Sequence, residues 1–240
     1  MMKMKVTYIE HSCFSVELDN SILLFDYYKG EIPDFDKDKT IYVFSSHNHN
    51  DHFNISIFKM LESYSEVKYI LSKDIKKKFG RKFFNTHGVD DDTYESIEFI
   101  DSYETLEIED LKIETLNSTD EGVAFIVSVN GKTIYHAGDL HLWAWNHKDE
   151  ENNIRNTEEY INEIEKIKNR HFDVAFLVLD SRQEDKFHLG FDYFMKNTDT
   201  DKAYPMHFWN DDSVIERLKL MECSETYRDK IMNCIRRKNI

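Results

Sequence analysis

A short apolar strand runs directly into a cluster of metal-binding side chains in the first quarter of the chain. The predicted strand is TIYVFSS at residues 40–46, and HNHNDH follows it at residues 47–52. Polar residues at the end of a buried strand are where sheet proteins commonly carry functional groups. Four groups that can bind metal lie within these six residues, a density that packing alone rarely requires. We therefore predict a metal site at the end of this strand.

The spacing within the cluster indicates positions for two ions. His47 and His49 are two residues apart, so in an extended chain both point to the same side and can bind one ion. Asp51 and His52 follow, where the chain must turn before the next helix, and they can face a second ion. Imidazole nitrogen and carboxylate oxygen suit zinc, iron, manganese or nickel. A polar loop with incidental histidines is the alternative interpretation.

The remainder of the chain alternates predicted strands and helices, without a repeat or a proline-rich linker. β-branched and aromatic residues predict strands at the start of the chain and again from 94 to 135, where Asn130-Gly131 predicts a tight hairpin. The spacing of apolar residues predicts helices at 54–64, at 156–170, at 190–197 and from about 213. The acidic segment 146–153 is predicted to be a loop insertion. We predict a single domain over residues 1–240.

The charge of the chain limits its partners. The formal net charge is −15 at pH 7, and an acidic surface repels phosphate backbones. We therefore expect a small-molecule substrate and no nucleic-acid partner. A nuclease is not excluded by charge alone, because a bound metal ion creates local positive potential inside an acidic protein.

The cysteines and the apolar runs indicate a cytoplasmic protein. Cys13, Cys223 and Cys234 are odd in number and share no metal-binding spacing, so we interpret them as reduced thiols. The first residues turn polar before the apolar core of a signal peptide could form, and no apolar run approaches membrane-spanning length. No apolar stripe is left clearly unpaired, so the oligomeric state is open.

The motifs resemble those of one enzyme superfamily. HNHNDH is similar to the HxHxDH signature of the metallo-β-lactamase fold hydrolases at all four signature positions. TIYHAGDLHLW places Asp139 after a strand in the Gly-Asp context of that family, and AYPMHFW places His207 at another strand end. The opening YIEHSCFSVE and the HAGDL motif look most like the branch of small cytosolic hydrolases related to ascorbate-6-phosphate lactonase.

This resemblance implies an αββα sandwich, with two mixed β-sheets packed face to face, helices on both outer sides and metals at one rim. It implies three sets of metal ligands: His47 and His49 for the first ion, Asp51, His52 and His207 for the second, and Asp139 between them. The cofactors would be one or two divalent transition metal ions, zinc first, with manganese, iron or nickel as alternatives. Such ions acidify a shared water, and Asp51 or Asp139 would accept a proton during turnover.

One position of the family pattern lacks its histidine. A third histidine for the first ion should precede the strand that begins near Gly122, and that stretch reads LNSTDEG. Thr119 or Asp120 occupies the expected place. The carboxylate of Asp120 would shift the site toward a harder ion such as manganese or iron, whereas the alternative is a plain turn residue. The first site is therefore expected to be weak, empty, or completed by Asp120 or water.

Three further residues are candidates for contacts around the ions. His11 lies between two predicted strands, where it would touch substrate, hydrogen-bond to a ligand, or only form the turn. Asp26 ends the run SILLFD and would orient a metal-bound imidazole or only end the strand. His141 lies on the same side as Asp139 if the chain stays extended, which would bring it to the site.

These features support three hypotheses for function. The first is a metal-dependent hydrolase that uses a metal-activated hydroxide on a small ester, lactone or phosphoester. The second is a phosphodiesterase or nuclease of the same fold. The third is a non-catalytic metal-binding protein with a degenerate first metal site, against which the presence of Asp51 argues.

Overall fold

The computed structural model describes residues 4–234, and these residues form two compact units. The first unit comprises the described residues up to Asp101, and the second extends over Ser102–Cys234. Each unit contains one six-stranded sheet. The single domain predicted over residues 1–240 includes both chain ends, which lie outside the described range, and it stays a prediction.

The sheet of the first unit is built from the apolar runs predicted as strands. In spatial order its strands are β1 (Lys5–Glu10), β2 (Cys13–Glu17), β3 (Ser21–Phe25), β4 (Thr40–Ser45), β5 (Val67–Ser72) and β6 (Glu98–Ile100). The first three strands pair antiparallel, and the pairs from β3 to β6 are parallel. Every residue of β3 is buried, which accounts for its unbroken apolar sequence.

Three helices connect the strands of this sheet. They are α1 (Ser56–Met60), α2 (Lys73–Thr86) and α3 (Asp91–Glu95). α1 is shorter than the predicted helix at 54–64, and α2 is interrupted at Gly80, whose φ of 62° favours glycine. Ile57, Phe58, Ile75 and Phe84 of the helices pack into one apolar cluster with the strands. Burial of each such side chain contributes about 2 kcal/mol, which fixes the helices to the sheet.

The second unit contains a mixed sheet and a separate strand pair. In chain order the strands are β7 (Thr105–Ile108), β8 (Leu111–Asn117), β9 (Val123–Val129), β10 (Lys132–His136), β11 (His171–Phe172), β12 (Val174–Val178), β13 (Asp199–Thr200) and β14 (Ala203–Met206). The sheet has the order β14-β12-β10-β9-β8-β7, and β11 pairs with β13. The predicted hairpin is confirmed: Asn130 and Gly131 join β9 to β10 with φ values of 50° and 72°, as a tight two-residue turn requires.

The helices of the second unit correct one prediction. They are α4 (Glu150–Glu165), α5 (Leu189–Asn197) and α6 (Ser213–Leu220). α4 begins at Glu150 rather than at 156, so the predicted loop at 146–153 is partly helical. The carboxylate of Asp149 accepts a hydrogen bond from the backbone N of Asn152 at 2.8 Å, and this cap starts the helix in a segment without apolar periodicity.

In both units the candidate functional side chains follow the carboxyl ends of parallel strands. In the first unit Asp26 follows β3, and His47 follows β4 after one intervening residue. In the second unit Asp139, Asp180 and His207 follow β10, β12 and β14, which are neighbouring parallel strands. Because the carboxyl ends of parallel strands meet at one edge of a sheet, the side chains of each unit converge.

Candidate metal centre

The HNHNDH segment bends as it leaves β4, so that its first two histidines lie side by side. His47 Nε2 is 3.0 Å from His49 Nδ1, and His47 Nδ1 is 3.0 Å from the hydroxyl oxygen of Ser46. His47 is completely buried. Burial, and then the neighbouring imidazole of His52, lower the pKa of His47 well below its usual range. The ring is therefore neutral, which is the form that binds metal.

Asp26 is the buried centre of the group in the first unit. Its Oδ1 accepts a hydrogen bond from the backbone N of Ser46 at 2.7 Å, and its Oδ2 accepts one from the Ser46 hydroxyl at 2.7 Å. His52 Nδ1 also lies 2.7 Å from Oδ2. The other ring nitrogen of His52, Nε2, faces Asp51 and lies 4.0 Å from Oδ2 of that residue. Carboxylates hold metal-binding histidines in this way, fixing the tautomer and the ring orientation.

His11 lies beside the Asp51–His52 pair. Its Nε2 is 3.3 Å from Asp51 Oδ2, and one ligand atom from each of the three residues lies within 4.8 Å of the others. The φ angles of 55° at His11 and 45° at Asp26 lie in the left-handed region. Non-glycine residues hold such angles mainly where the surrounding structure imposes them, often at functional sites.

The second unit holds a matching arrangement around His207. His207 Nδ1 is 3.0 Å from Asp180 Oδ2, and His207 Nε2 is 3.5 Å from Asp139 Oδ1. All three residues are buried, and the φ of His207 is 64°. Burial alone would raise the pKa of Asp180, but hydrogen bonds from His207 and Arg182 outweigh it and hold this pKa well below its usual range. Asp180 is therefore an anion that orients His207 as Asp26 orients His52.

The stretch without the expected histidine offers a carboxylate. Asp120 has an oxygen within 4.8 Å of an oxygen of Asp139. The hydroxyl of neighbouring Thr119 instead bonds to the backbone of His141, donating to its carbonyl at 2.6 Å and accepting from its N at 2.9 Å. Of the two residues considered for this place, Asp120 is the one that brings a carboxylate oxygen near the carboxylate of another candidate ligand, whereas the Thr119 hydroxyl reaches only the backbone carbonyl of Asp139, at 3.4 Å.

His141 does not continue an extended strand past Asp139. Leu140 N bonds back to the carbonyl of Ala137 at 2.9 Å, so the chain turns and strand alternation no longer applies. His141 Nε2 is 2.7 Å from Gln183 Oε1, and burial lowers the pKa of His141 to about 4. These contacts tie the loop after β10 to the segment before α5. The predicted approach of His141 to the ions stays a prediction.

The structure adds residues that we did not predict from the sequence. Asp180 follows the apolar strand DVAFLVL, the same signal that singled out Asp26, and that criterion would have found it. Asp74, at the start of α2, accepts a hydrogen bond from the backbone N of Asn48 at 2.9 Å and another from its side-chain amide. Lys78 donates to the carbonyl of Asn48 at 3.4 Å. Nothing in the sequence marks Asp74 and Lys78, since both residue types are ordinary on helix surfaces.

The donor set fits divalent transition metal ions. Each unit presents imidazole nitrogen and carboxylate oxygen, and two imidazoles, those of His52 and His207, are oriented by buried carboxylates. Another group, His171 with Asp199 and Asp201, also has ligand atoms within 4.8 Å of one another. All three of its residues are exposed, and exposed acidic groups are common in proteins without a bound metal.

Two global predictions can be compared with the part of the chain that the structure describes. The cysteines Cys13, Cys223 and Cys234 are all free, as predicted. Within residues 4–234 no helix is long and apolar enough to cross a lipid bilayer.

Solved structures define the class of fold. A protein of Parabacteroides distasonis ATCC 8503, described as a metal-dependent hydrolase, matches with a TM-score of 0.68 and 16% identity, over 96% of this chain and 92% of its own. A metallo hydrolase of the hyperthermophilic archaeon Ignicoccus hospitalis KIN4/I matches with a TM-score of 0.61 and 16% identity, over 98% of this chain and 96% of its own. At these identities the likeness is one of fold.

The family follows from the sequence of the chain. The family model for the β-lactamase superfamily domain matches residues 5–156, and the chain belongs to this superfamily. The predicted resemblance to the superfamily and the αββα metallo-β-lactamase fold are thereby confirmed, whereas the closer resemblance to the branch related to ascorbate-6-phosphate lactonase stays a prediction. The UPF0173 metal-dependent hydrolase of Alkaliphilus metalliredigens (strain QYMF) is 29% identical over 149 residues, 58% of this chain. The match covers 64% of that relative, less than two thirds of its length.

Proposed function

We propose that this protein is a metal-dependent hydrolase that cleaves a small ester, lactone or phosphoester by attack of water. One observation carries the proposal: each unit holds a buried imidazole whose Nδ1 is bound by a buried carboxylate, at 2.7 Å for His52 and 3.0 Å for His207. Burying carboxylates and imidazoles is costly, and an apolar core does not require it. In both cases Nε2 faces an aspartate, which is the arrangement a metal ligand needs.

We assign the ligands by combining these contacts with the family motif. By the family motif, His47 and His49 would hold the first ion, Asp51, His52 and His207 would hold the second, and Asp139 would hold both. The proximity of His47 to His49, and of His207 to Asp139, supports this assignment within each unit. Asp120 completes the first site, since its carboxylate approaches that of Asp139.

The residues of the chain then have distinct roles in hydrolysis. When bound, the ions lower the pKa of a water molecule and polarise the substrate oxygen. Asp26 and Asp180 hold the Nδ1 atoms of two imidazoles and so present Nε2. Asp51 Oδ2 accepts a proton from the attacking water, with Asp139 as the alternative acceptor. His11 Nε2, 3.3 Å from Asp51 Oδ2, holds that carboxylate in place.

Zinc is the first candidate for the metal, because imidazole and carboxylate ligands suit it. A carboxylate at Asp120 in place of imidazole makes the first site harder, which favours manganese or iron there. Nickel is the remaining candidate. We also propose a cytoplasmic location, supported by the three free cysteines, since thiols persist in reducing compartments.

A phosphodiesterase is the second candidate, and one observation favours it. Residues 73–82, KDIKKKFGRK, carry six basic side chains and one acidic one in a chain of net charge −15. Lys78 of this segment bonds to Asn48, within the metal-binding segment. Positive charge beside the metal ligands attracts an anionic substrate. The overall charge still argues against a general nucleic-acid partner.

The proposal is tested by metal content and by a substrate panel. We expect at least one transition metal ion per purified chain by mass spectrometry, and a rise in melting temperature on addition of zinc or manganese. The panel contains lactones, carboxylic esters, a phosphomonoester and a phosphodiester. Asp139→Asn should lower kcat by roughly a hundredfold or more with the fold intact by circular dichroism.

Asp199→Asn is the matched control, because Asp199 belongs to the exposed His171–Asp199–Asp201 group. It should leave metal content and activity unchanged. A chain that purifies without metal and gains no stability from either ion would contradict the proposal. A metal-loaded chain that hydrolyses no member of the panel would favour the non-catalytic metal-binding alternative.

A further inference from the structure

One face of α2 holds the residue between the first two histidines of the HNHNDH segment. That residue, Asn48, is only 7% exposed. Its backbone N donates to Asp74 Oδ2 at 2.9 Å, and its side-chain amide donates to the same oxygen. Lys78 Nζ donates to the Asn48 carbonyl at 3.4 Å and also to its side-chain oxygen. The main-chain groups and the side-chain amide of Asn48 are therefore all bound by this helix.

Asp74 and Lys78 act on the same residue because of their spacing along α2. They are four residues apart and precede the interruption at Gly80, so their side chains lie on one face of the helix. Ile75, next to Asp74, is completely buried in the apolar cluster of the first unit. The packing that fixes α2 to the sheet therefore also places both charged groups beside the segment that follows β4.

The contacts to Asn48 bear on both neighbouring histidines. Its backbone N belongs to the peptide group that joins it to His47, and its carbonyl belongs to the one that joins it to His49. Fixing both peptide groups limits the directions in which the two imidazoles leave the chain. The facing nitrogens, His47 Nε2 and His49 Nδ1, are 3.0 Å apart. Two imidazole nitrogens bound to one tetrahedral zinc ion are about 3.3 Å apart, so this pair is nearly in place for a shared ion.

We propose that Asp74 and Lys78 are positioning residues for the first metal ion: they hold Asn48 and thereby keep His47 and His49 in place to bind that ion. This inference rests on the ligand assignment of the proposed function and extends it to residues outside the ligand set. Groups that orient metal ligands through hydrogen bonds typically change metal affinity by about tenfold to a hundredfold. The alternative is a purely structural role, in which Asp74 only stabilises the first turn of α2.

Metal affinity tests the role of Asp74. The full chain, stripped of metal, is titrated with zinc in competition with a chromophoric chelator. Asp74→Ala should weaken binding of one zinc ion by about tenfold or more, and Asp74→Asn, which keeps an acceptor for Asn48, should recover most of the loss. Unchanged affinity in Asp74→Ala would overturn the proposal. So would equal losses in both variants, because the negative charge rather than the hydrogen bonds would then support the ion.

Asp90→Ala is the matched control for an aspartate at the start of a helix in the first unit. The carboxylate of Asp90 accepts a hydrogen bond from the backbone N of Thr93 at 2.7 Å and so caps α3. Its loss should lower the melting temperature and leave zinc affinity unchanged. If Asp90→Ala weakens zinc binding as much as Asp74→Ala does, the effect is one of general stability and the positioning role is rejected.

Lys78 provides a test in which position and charge predict opposite signs. Removing a positive charge near a cation site should strengthen zinc binding through electrostatics alone. Because Lys78 holds Asn48, we expect Lys78→Met to weaken binding of one zinc ion instead, by about threefold or more. Lys77→Met is the matched control, since Lys77 is exposed, lies on the same helix and loses the same charge, and it should not weaken zinc binding. Unchanged or tighter binding in Lys78→Met would overturn the role of Lys78.

The His49→Ala background locates the effect. This variant lacks one assigned ligand of the first ion, so Asp74→Ala should cause little further loss of zinc affinity in it. Equal losses in the two backgrounds would show that Asp74 acts elsewhere and would reject the proposal.

Hydrogen exchange tests the contact without metal or activity. In the metal-free protein the backbone N–H of Asn48 should exchange about fivefold or more faster in Asp74→Ala than in the wild type. Asp90→Ala should leave this exchange rate unchanged. An unchanged rate in Asp74→Ala would contradict the contact on which the proposal depends.

The substrate panel separates this inference from the proposed hydrolase. If zinc affinity depends on Asp74 and Lys78 as expected but no member of the panel is hydrolysed, the hydrolase proposal fails and the positioning role stands. If a substrate is hydrolysed and zinc affinity is unchanged in both Asp74→Ala and Lys78→Met, the positioning role fails and the hydrolase proposal stands. A wild-type chain that binds no zinc would overturn both.

Discussion

Nδ1 of His52 lies 2.7 Å from Oδ2 of Asp26, and neither side chain is exposed to solvent. The same relationship recurs between His207 and Asp180 in the other unit. In each pair the carboxylate follows one parallel strand, and the histidine lies beyond the end of the next strand along the sheet. The orientation of the histidine is therefore set by the pairing of neighbouring strands.

The Asp26–His52 pair can be tested without disturbing the backbone. Asp26→Asn keeps the size of the side chain, and asparagine tolerates the left-handed φ of 45°. The amide replaces the carboxyl group behind His52, so metal affinity should fall by roughly tenfold to a hundredfold. Competition with a chromophoric chelator measures this, with Asp199→Asn as control. Unchanged affinity would show that Asp26 only ends its strand.

The start of α4 predicts a capping effect on stability. Asp149→Ala removes the acceptor for Asn152 N and should destabilise the protein by about 1 kcal/mol. For a chain of this size that corresponds to a fall of roughly 2–4 °C in melting temperature. Asp149→Ser, which restores a capping oxygen, should recover most of the loss. Equal melting temperatures for the Ala and Ser variants would contradict the cap.

We predict that a larger residue at Gly190 would clash with the ring of His141. A Cβ at Gly190 would come within 2.6 Å of two ring atoms of His141 and 3.0 Å of the backbone N of Leu142. Gly190→Ala should therefore destabilise the protein by about 1–3 kcal/mol through overpacking. In a double-mutant cycle measured by urea unfolding, Gly190→Ala should cost less in the His141→Ala background. Additive losses would reject the contact.

We predict that the stability of the folded protein depends on pH through His171, at the surface of the second unit. A hydrogen bond to Asp199 raises the pKa of His171 above its ordinary 6.5, and Asp201 and Asp173 add to the effect. The protonated form is thus favoured in the folded protein. Its contribution to stability is complete below pH 6.5 and is lost as the pH rises through the raised pKa.

NMR titration of the His171 ring measures this pKa, with His171→Gln to assign the resonance. Asp199→Asn should lower it toward 6.5, and Asp201→Asn should lower it less, because Asp199 makes the hydrogen bond. A titration of His171 that does not respond to Asp199→Asn would contradict the assignment.

Much of the architecture could be predicted because its signals are local. The Asn130-Gly131 turn and the apolar runs of β3 and β4 are complete within a few residues. Asp26 was singled out because it ends an apolar run, and Asp139 and His207 because their motifs, each at a predicted strand end, resemble those of the superfamily. The start of α4 was missed because it depends on the side chain of Asp149 rather than on hydrophobic periodicity.

The contacts between distant residues could not be read from the sequence. Asp180 meets His207 only because β12 pairs with β14, and no local pattern records that pairing. The direction of His141 depends on the turn after β10 and on Gln183. Spacing along an extended chain predicts a side only while the chain stays extended.

The order of the strands along the chain determines which of the two aspartate–histidine pairs can form first during synthesis. All six strands of the first sheet lie before residue 101, so the Asp26–His52 pair can form while later segments are still being translated. The Asp180–His207 pair needs β14, the last strand within residues 4–234, which pairs with β12 at one end of the second sheet. A nascent chain stalled before Ala203 should therefore hold the first pair and lack the second.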